Sequence, residues 1–169
     1  NRVSYVFGLK GPSMTIDTAC SSSISALSAA IAAIGRGHGL REAMVAGAEL
    51  LHGPNALVLR SVAGMLSPDG RCKTFNATAN GYIRGEGAGA ALVKILPDAE
   101  EGRCRVVAEV RSAVMNQDGK SATLTAPNGP SQEEVLGQAL REAQVQADQV
   151  KALECHGTGT ALGDPIEVG

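Results

Sequence analysis

Residues 20–35 constrain the fold more than any other stretch of this chain. Ile24, Leu27, Ile31 and Ile34 recur at steps of three and four, one face of an amphipathic helix. Around them Ser25, Ala26, Ser28, Ala29, Ala30, Ala32 and Ala33 leave little bulk on any side. A helix this slim suits a central position between two sheets, with neighbouring backbone close by. Alanine's high helix propensity accounts for the same composition, and both readings can hold. Upstream, Met14-Thr15-Ile16 reads as the end of a short buried strand, so Cys20 falls at a strand-to-helix junction.

That placement bears on the thiol's chemistry. Unpaired N–H groups and the positive end of the helix dipole favour a thiolate at a helix start. Backbone N–H groups at such a turn can also stabilise an oxyanion forming beside the sulfur. A free cysteine most often packs as a small apolar residue. The tight turn Thr18-Ala19-Cys20-Ser21-Ser22 and the helix behind it make Cys20 a candidate nucleophile instead.

The second informative run is Glu154-Cys155-His156-Gly157-Thr158-Gly159-Thr160. Leu153-Glu154-Cys155 reads as a strand end, and the Gly-Thr-Gly-Thr run after it cannot stay extended. His156 then projects from the C-terminal edge of a sheet, where open α/β sheets bind ligands. General base, hydrogen-bond donor to an oxyanion and satisfied structural histidine all remain open for it. The hydroxyls of Thr158 and Thr160, spaced by glycines that let a ligand approach, favour the first two.

Seven segments in order then carry a family resemblance. They are Gly11–Ser23, Gly64–Lys73, Gly81–Gly89, Asn116–Gly119, Thr125–Pro130, His156–Thr160 and Gly163–Glu167. Together they resemble the β-ketoacyl synthases, and specifically the ketosynthase domains of type I polyketide synthases, over essentially the whole chain. The resemblance implies an α/β, thiolase-like layered fold (α/β/α/β/α), here a partial domain covering less than half of a ketosynthase. Residues 1–97 would belong to an N-terminal half holding the nucleophile. Residues 103–169 would begin a C-terminal half, related by pseudo-symmetry, that holds the first catalytic histidine.

The same resemblance implies decarboxylative Claisen condensation of an acyl thioester with a malonyl-type extender. Cys20 would carry the acyl group, and His156 would donate a hydrogen bond to the enolate oxygen. Thr158 and Thr160 would bind the phosphopantetheine arm of an acyl carrier protein. Glu167 would help to hold a lysine expected beyond Gly169; taken from the residues alone it reads equally as a solvated carboxylate in a first helical turn. Glu86 is expected to be structural. No cofactor or metal is expected in this segment, since the substrates, acyl and malonyl thioesters, arrive on phosphopantetheine. Expected partners are acyl carrier protein, neighbouring synthase domains and a second copy in a homodimer, in the cytoplasm, or in a plastid if the source is an alga. A second histidine and a glycine-rich oxyanion segment are also expected past Gly169, so these residues made alone should be inactive. Cys155 stands where the family more often has alanine, and Asn76 and Asn80 stand where aspartate is common. The runner-up is the ketosynthase of a type I fatty acid synthase, followed by a non-extending or non-catalytic ketosynthase-like module.

Charge and composition narrow the classes. Net charge is −2, with both signs scattered and no basic run. The four aromatics, Tyr5, Phe7, Phe75 and Tyr82, do not interleave with Lys or Arg, which argues against nucleic acid. There is no signal-like segment and no long apolar run to support membrane insertion. Cys20, Cys72, Cys104 and Cys155 form no CxxC pair, as befits a reduced intracellular thiol enzyme. A metal site from Cys155 and His156 with His38 or His52 lacks the closely spaced ligand pairs typical of zinc. His38 reads as solvated, and neither it nor His52 has the base–orienter surroundings that catalysis requires.

Periodicity and breakers predict strands at 3–7, 13–17, 43–47, 88–96, 105–115 and 152–155. Helices are predicted over about 20–35 and 55–62, after Gly129 with a Ser131–Glu134 capping box, and from Pro165. Glycines at 35–39 suit left-handed caps. Residues 64–86 read as a long irregular stretch of the kind that is usually functional, and 97–102 as a turn. The β-α-β order suits parallel layers.

Overall fold

Val3, Val6 and Phe7 share a helical face as readily as they make an apolar run, and in the computed structural model Arg2–Phe7 is a helix, α1. The strand expected at 3–7 is therefore corrected: short apolar runs carry either periodicity, and Gly8 at φ +65° ends the helix in the left-handed conformation. The structure describes residues 2–35 and 39–169. They form two units, Asn1–Ala48 with Ala88–Met115, and Glu49–Gly87 with Asn116–Gly169.

In the first unit, a single 3₁₀ turn, Ala19–Ser21, leads into α2, Ser22–Gly35, as expected. Of the predicted helix exit, residues 36–38, His38 among them, lie outside the described residues. Gly39 takes φ +75°, the left-handed conformation expected there. Strand β1 (Glu42–Glu49) is followed, after an excursion through the second unit that includes α3 (Pro54–Val62), by β2 (Gly87–Lys94). The two strands pair in a two-stranded sheet. The Ile95 N–H donates to the Arg41 carbonyl at 3.2 Å, and Lys94 Nζ meets Glu42 at 3.0 Å. The end of β2 thus lies beside the start of β1, so this pair runs antiparallel rather than parallel.

Both strands are largely exposed, and each has one neighbour within the sheet. Along β1, Ala43, Val45 and Gly47 alternate as the less exposed face. A Cβ on Gly47 would sit 3.2 Å from Ser23 Cβ, and Ser28 Oγ donates to the Ala113 carbonyl at 2.7 Å. These contacts bring α2 as close to neighbouring backbone as its small side chains allow. The turn expected at 97–102 is a short helix, α4 (Leu96–Glu101), with Pro97 in its first turn and Asp98 paired to the Arg41 guanidinium. Segments 13–17 and 105–115 form no strand, and neither does 152–155 in the second unit; strand status depends on a partner ladder that local sequence cannot supply.

In the second unit, α3 occupies its expected place. The irregular stretch 64–86 is held together by side chains. Asp69 pairs with Lys73 and accepts from Asn80 Nδ2 at 2.9 Å, and Ser67 Oγ donates to Asn80 Oδ1 at 2.8 Å. Gly81, at φ +124°, lets Tyr82 bridge to Leu66; a Cβ there would lie 2.6 Å from the Met65 carbonyl oxygen. Helix α5 (Gly129–Ala143) begins at Asn128 without the expected capping box. Ser131 Oγ and Asn128 Nδ2 instead reach the Asp118 carbonyl, at 3.4 Å and 2.8 Å, tying the helix start to the Asn116–Gly119 segment. The chain ends in α6, Gly163–Val168, where a helix start was expected. Among the described apolar side chains only Ala99 is buried, whereas Ser25, Ser28, Ser67 and Asp164 are buried polar residues.

Candidate active site

Cys20 is exposed in the 3₁₀ turn that opens α2. The residue before it, Ala19, has φ +56°, a conformation that costs a residue with a Cβ about 1–2 kcal/mol. A web of short polar side chains holds this strained turn. Asp17 Oδ1 accepts the Ala19 N–H at 3.0 Å. Ser22 Oγ accepts the Thr18 N–H at 2.9 Å and donates to the Ala19 carbonyl at 2.7 Å. Ser21 Oγ donates to the Thr18 carbonyl at 3.0 Å, and Thr18 Oγ1 meets Ser25 Oγ at 2.9 Å. The serines around Cys20 thus fix the backbone that presents it.

The other four site candidates, His156, Thr158, Thr160 and Glu167, come together in the second unit. Both carboxylate oxygens of Glu167, on α6, accept backbone hydrogen bonds: Oε1 from the N–H of the exposed His156, and Oε2 from the Gly157 N–H at 2.8 Å. Thr158 Oγ1 and Thr160 Oγ1 are 3.3 Å apart, and Thr160 Oγ1 also accepts the Gly163 N–H at 3.1 Å. Two hydroxyls carry two protons, and one is used between them. The pair therefore keeps one donor for a ligand.

The irregular stretch 64–86 supplies the other side of this loop. Thr74 Oγ1 donates to the Gly157 carbonyl at 2.6 Å, and its Cγ2 would lie 2.6 Å from a Cβ on Gly157. Asp164 is only 5% exposed, and its two oxygens accept the Gly159 N–H at 2.9 Å and the Phe75 N–H at 2.7 Å. Gly157 and Gly159 take φ +56° and +69°, so the glycines are required for conformation as well as for room. Asp164 and Thr74 were not singled out from sequence. The only local signals were membership of the Gly163–Glu167 segment and adjacency to the Gly64–Lys73 segment.

Cys155 lies beside His156 and is half-buried. Burial pushes its thiol up from the ordinary value, and the nearby carboxylates of Glu167, Glu154 and Asp164 push in the same direction. Cys72 Sγ accepts the Ile83 N–H at 3.2 Å and serves the irregular stretch. Glu86, expected to be structural, accepts the Leu51 N–H. No cluster of three or more His, Cys, Asp or Glu side chains suited to a metal gathers among the described residues. None of the helices described is long and apolar enough to cross a membrane.

Comparison with known proteins identifies relatives of this arrangement. Residues 1–99 match the family model described as β-ketoacyl synthase, N-terminal domain, and residues 107–169 match the C-terminal domain. A phenolphthiocerol/phthiocerol polyketide synthase of Mycobacterium tuberculosis is 47% identical over 99% of this chain and 8% of its own length. Polyketide synthase GfsB of Streptomyces halstedii is 51% identical over 98% of this chain and 3% of its own. Among solved structures, the oxazolomycin ketosynthase domain OzmH KS7 of Streptomyces albus JA3453 is 41% identical with a TM-score of 0.95, covering 98% of this chain and 28% of that one. The ketosynthase from module 6 of the bacillaene synthase of Bacillus subtilis 168 matches equally well, at 41% identity and TM-score 0.95, over 98% of this chain and 30% of its own. The chain therefore spans under a tenth of those curated relatives and about three-tenths of those solved ketosynthases.

Proposed function

The chain belongs to the β-ketoacyl synthase family, and from that premise we propose that it is part of an extending ketosynthase in a polyketide synthase. Its fold is the thiolase-like α/β fold expected from sequence. One observation carries the reading furthest: an exposed thiol, Cys20, stands on a strained turn at the start of a helix.

In this reading the Cys20 sulfur attacks the carbonyl carbon of an acyl thioester held on a carrier protein's phosphopantetheine. A C–S bond to Cys20 forms, the C–S bond to pantetheine breaks, and the proton leaves on the pantetheine thiol. The covalent acyl-enzyme divides one difficult carbon–carbon step into two easier ones. A malonyl thioester then loses CO₂, and the electron pair of the broken C–C bond forms an enolate. His156 donates a hydrogen bond to the enolate oxygen, and the remaining hydroxyl donor of Thr158 and Thr160 holds the pantetheine arm. The enolate carbon attacks the acyl group, the C–S bond to Cys20 breaks, and the thiolate takes up a proton. Glu167 serves by fixing the backbone on which His156 stands. The boundary between the two half-domains falls within 97–103. Acyl carrier protein, neighbouring synthase domains and a second ketosynthase copy are the partners this role requires.

The test is acylation of the full-length synthase with an acyl-pantetheine thioester, followed by peptide mass mapping. The acyl group is expected on the Cys20 peptide; its appearance on Cys72, Cys104 or Cys155 instead would overturn the assignment. In the same protein His156→Ala should still acylate Cys20 while CO₂ release from malonyl thioester falls by about 10²–10³, the scale for losing one oxyanion donor.

A further inference from the structure

We propose that Thr74 is a positioning residue for His156; this rests on the role given to His156 above. The His156–Gly157 backbone is gripped from two sides. On its N–H side Glu167 receives the protons of both residues. On its carbonyl side Thr74, 83 positions away in sequence, donates its hydroxyl to the Gly157 oxygen at 2.6 Å. The Thr74 methyl fills the space a Cβ on Gly157 would need, and Gly157 sits at φ +56°. Glu167 holds the peptide planes before and after His156 through their N–H groups, but it does not touch the next plane, the one that contains the Gly157 carbonyl and the Thr158 N–H. The Thr74 bond fixes the carbonyl and hence the direction in which the loop turns away from the imidazole. Reaction geometry is sensitive to such small displacements. Thr74 is also held in place, since the next residue, Phe75, donates its N–H to the buried Asp164 carboxylate.

Thr74→Val keeps the shape and removes the donor; Thr74→Ser keeps the donor and removes the methyl. Both are made in the full-length synthase and assayed for Cys20 acylation by an acyl-pantetheine thioester, for CO₂ release from malonyl-pantetheine, and for thermal unfolding. Thr74→Val should lower CO₂ release about fivefold to tenfold, the range for one lost hydrogen bond, with acylation within about twofold of wild type. Thr74→Ser should recover most of the lost CO₂ release. Equal CO₂ release in Thr74→Val and wild type would overturn the proposal. So would a parallel fall of both steps with a lowered unfolding temperature, or a Thr74→Ser variant as slow as Thr74→Val. If the wild-type protein neither acylates Cys20 nor releases CO₂, the functional reading above has failed, a result distinct from all of these.

Discussion

Asp164 accepts the backbone N–H of Phe75 at 2.7 Å across 89 positions of sequence, and with its other oxygen it accepts the Gly159 N–H. One buried carboxylate thus joins the irregular stretch 64–86 to the loop that carries His156. Phe75 has φ +58°, a conformation that persists only where surroundings impose it. Asp164→Asn keeps one acceptor oxygen but turns an NH₂ toward one of the two N–H donors. The expected loss is about 1–3 kcal/mol for the unsatisfied buried donor. Chemical denaturation of the full-length domain should show it as a lower midpoint at unchanged slope.

Gly157→Ala tests the same loop from the inside. The new Cβ would lie 2.6 Å from Thr74 Cγ2, on a residue at φ +56°. The left-handed conformation alone costs alanine about 1–2 kcal/mol, and the overlap adds to it. CO₂ release should fall along with stability. Gly85→Ala is the control, because Gly85 has open space around its Cα and no positive φ. Equal behaviour of the two variants in an unfolding experiment would contradict the geometry of the loop.

Much of this arrangement was legible in the sequence, and the remainder failed for a physical reason. Helices α2, α3, α5 and α6 announce themselves through periodicity, proline and glycine, all of which act within one or two turns. Cys20 and the His156 loop are signalled by equally local turn residues. Strands at 13–17, 105–115 and 152–155 were expected from apolar runs, but a run becomes a strand only beside a partner. Ser131 looked like a cap because its spacing to Glu134 suits one; its hydroxyl is taken by Asp118, far enough away to escape any pattern. The roles of Thr74 and Asp164 escaped for the same reason, since the bonds that define them join residues 83 and 89 positions apart.

Acid should loosen the irregular stretch 64–86. The Lys73 hydrogen bond, then that of Asn80, hold the Asp69 carboxyl below its ordinary value of 3.8. A carboxylate with a depressed folded value stabilises the fold above its unfolded value, and that contribution is lost as pH falls through the folded value. The difference in unfolding temperature between wild type and Asp69→Asn should therefore be constant near neutrality and shrink below about pH 4. A difference that grows on acidification would reverse the sign and remove Asp69 from this role.

The thiol next to the candidate histidine should stay protonated where an ordinary cysteine has begun to ionise. Burial is the largest single cause of its upward shift, and the carboxylates of Glu167, Glu154 and Asp164 add to it. Alkylation proceeds through the thiolate. The iodoacetamide reaction at Cys155, followed by peptide mass mapping across pH, should accordingly have its midpoint above that of a free cysteine peptide. Glu154→Gln removes one of the carboxylates without touching the backbone bonds of Glu167, so it should bring the midpoint down while burial keeps it above the free value. If Cys155 instead alkylates at or below the pH of the free peptide, burial and the carboxylates do not govern it.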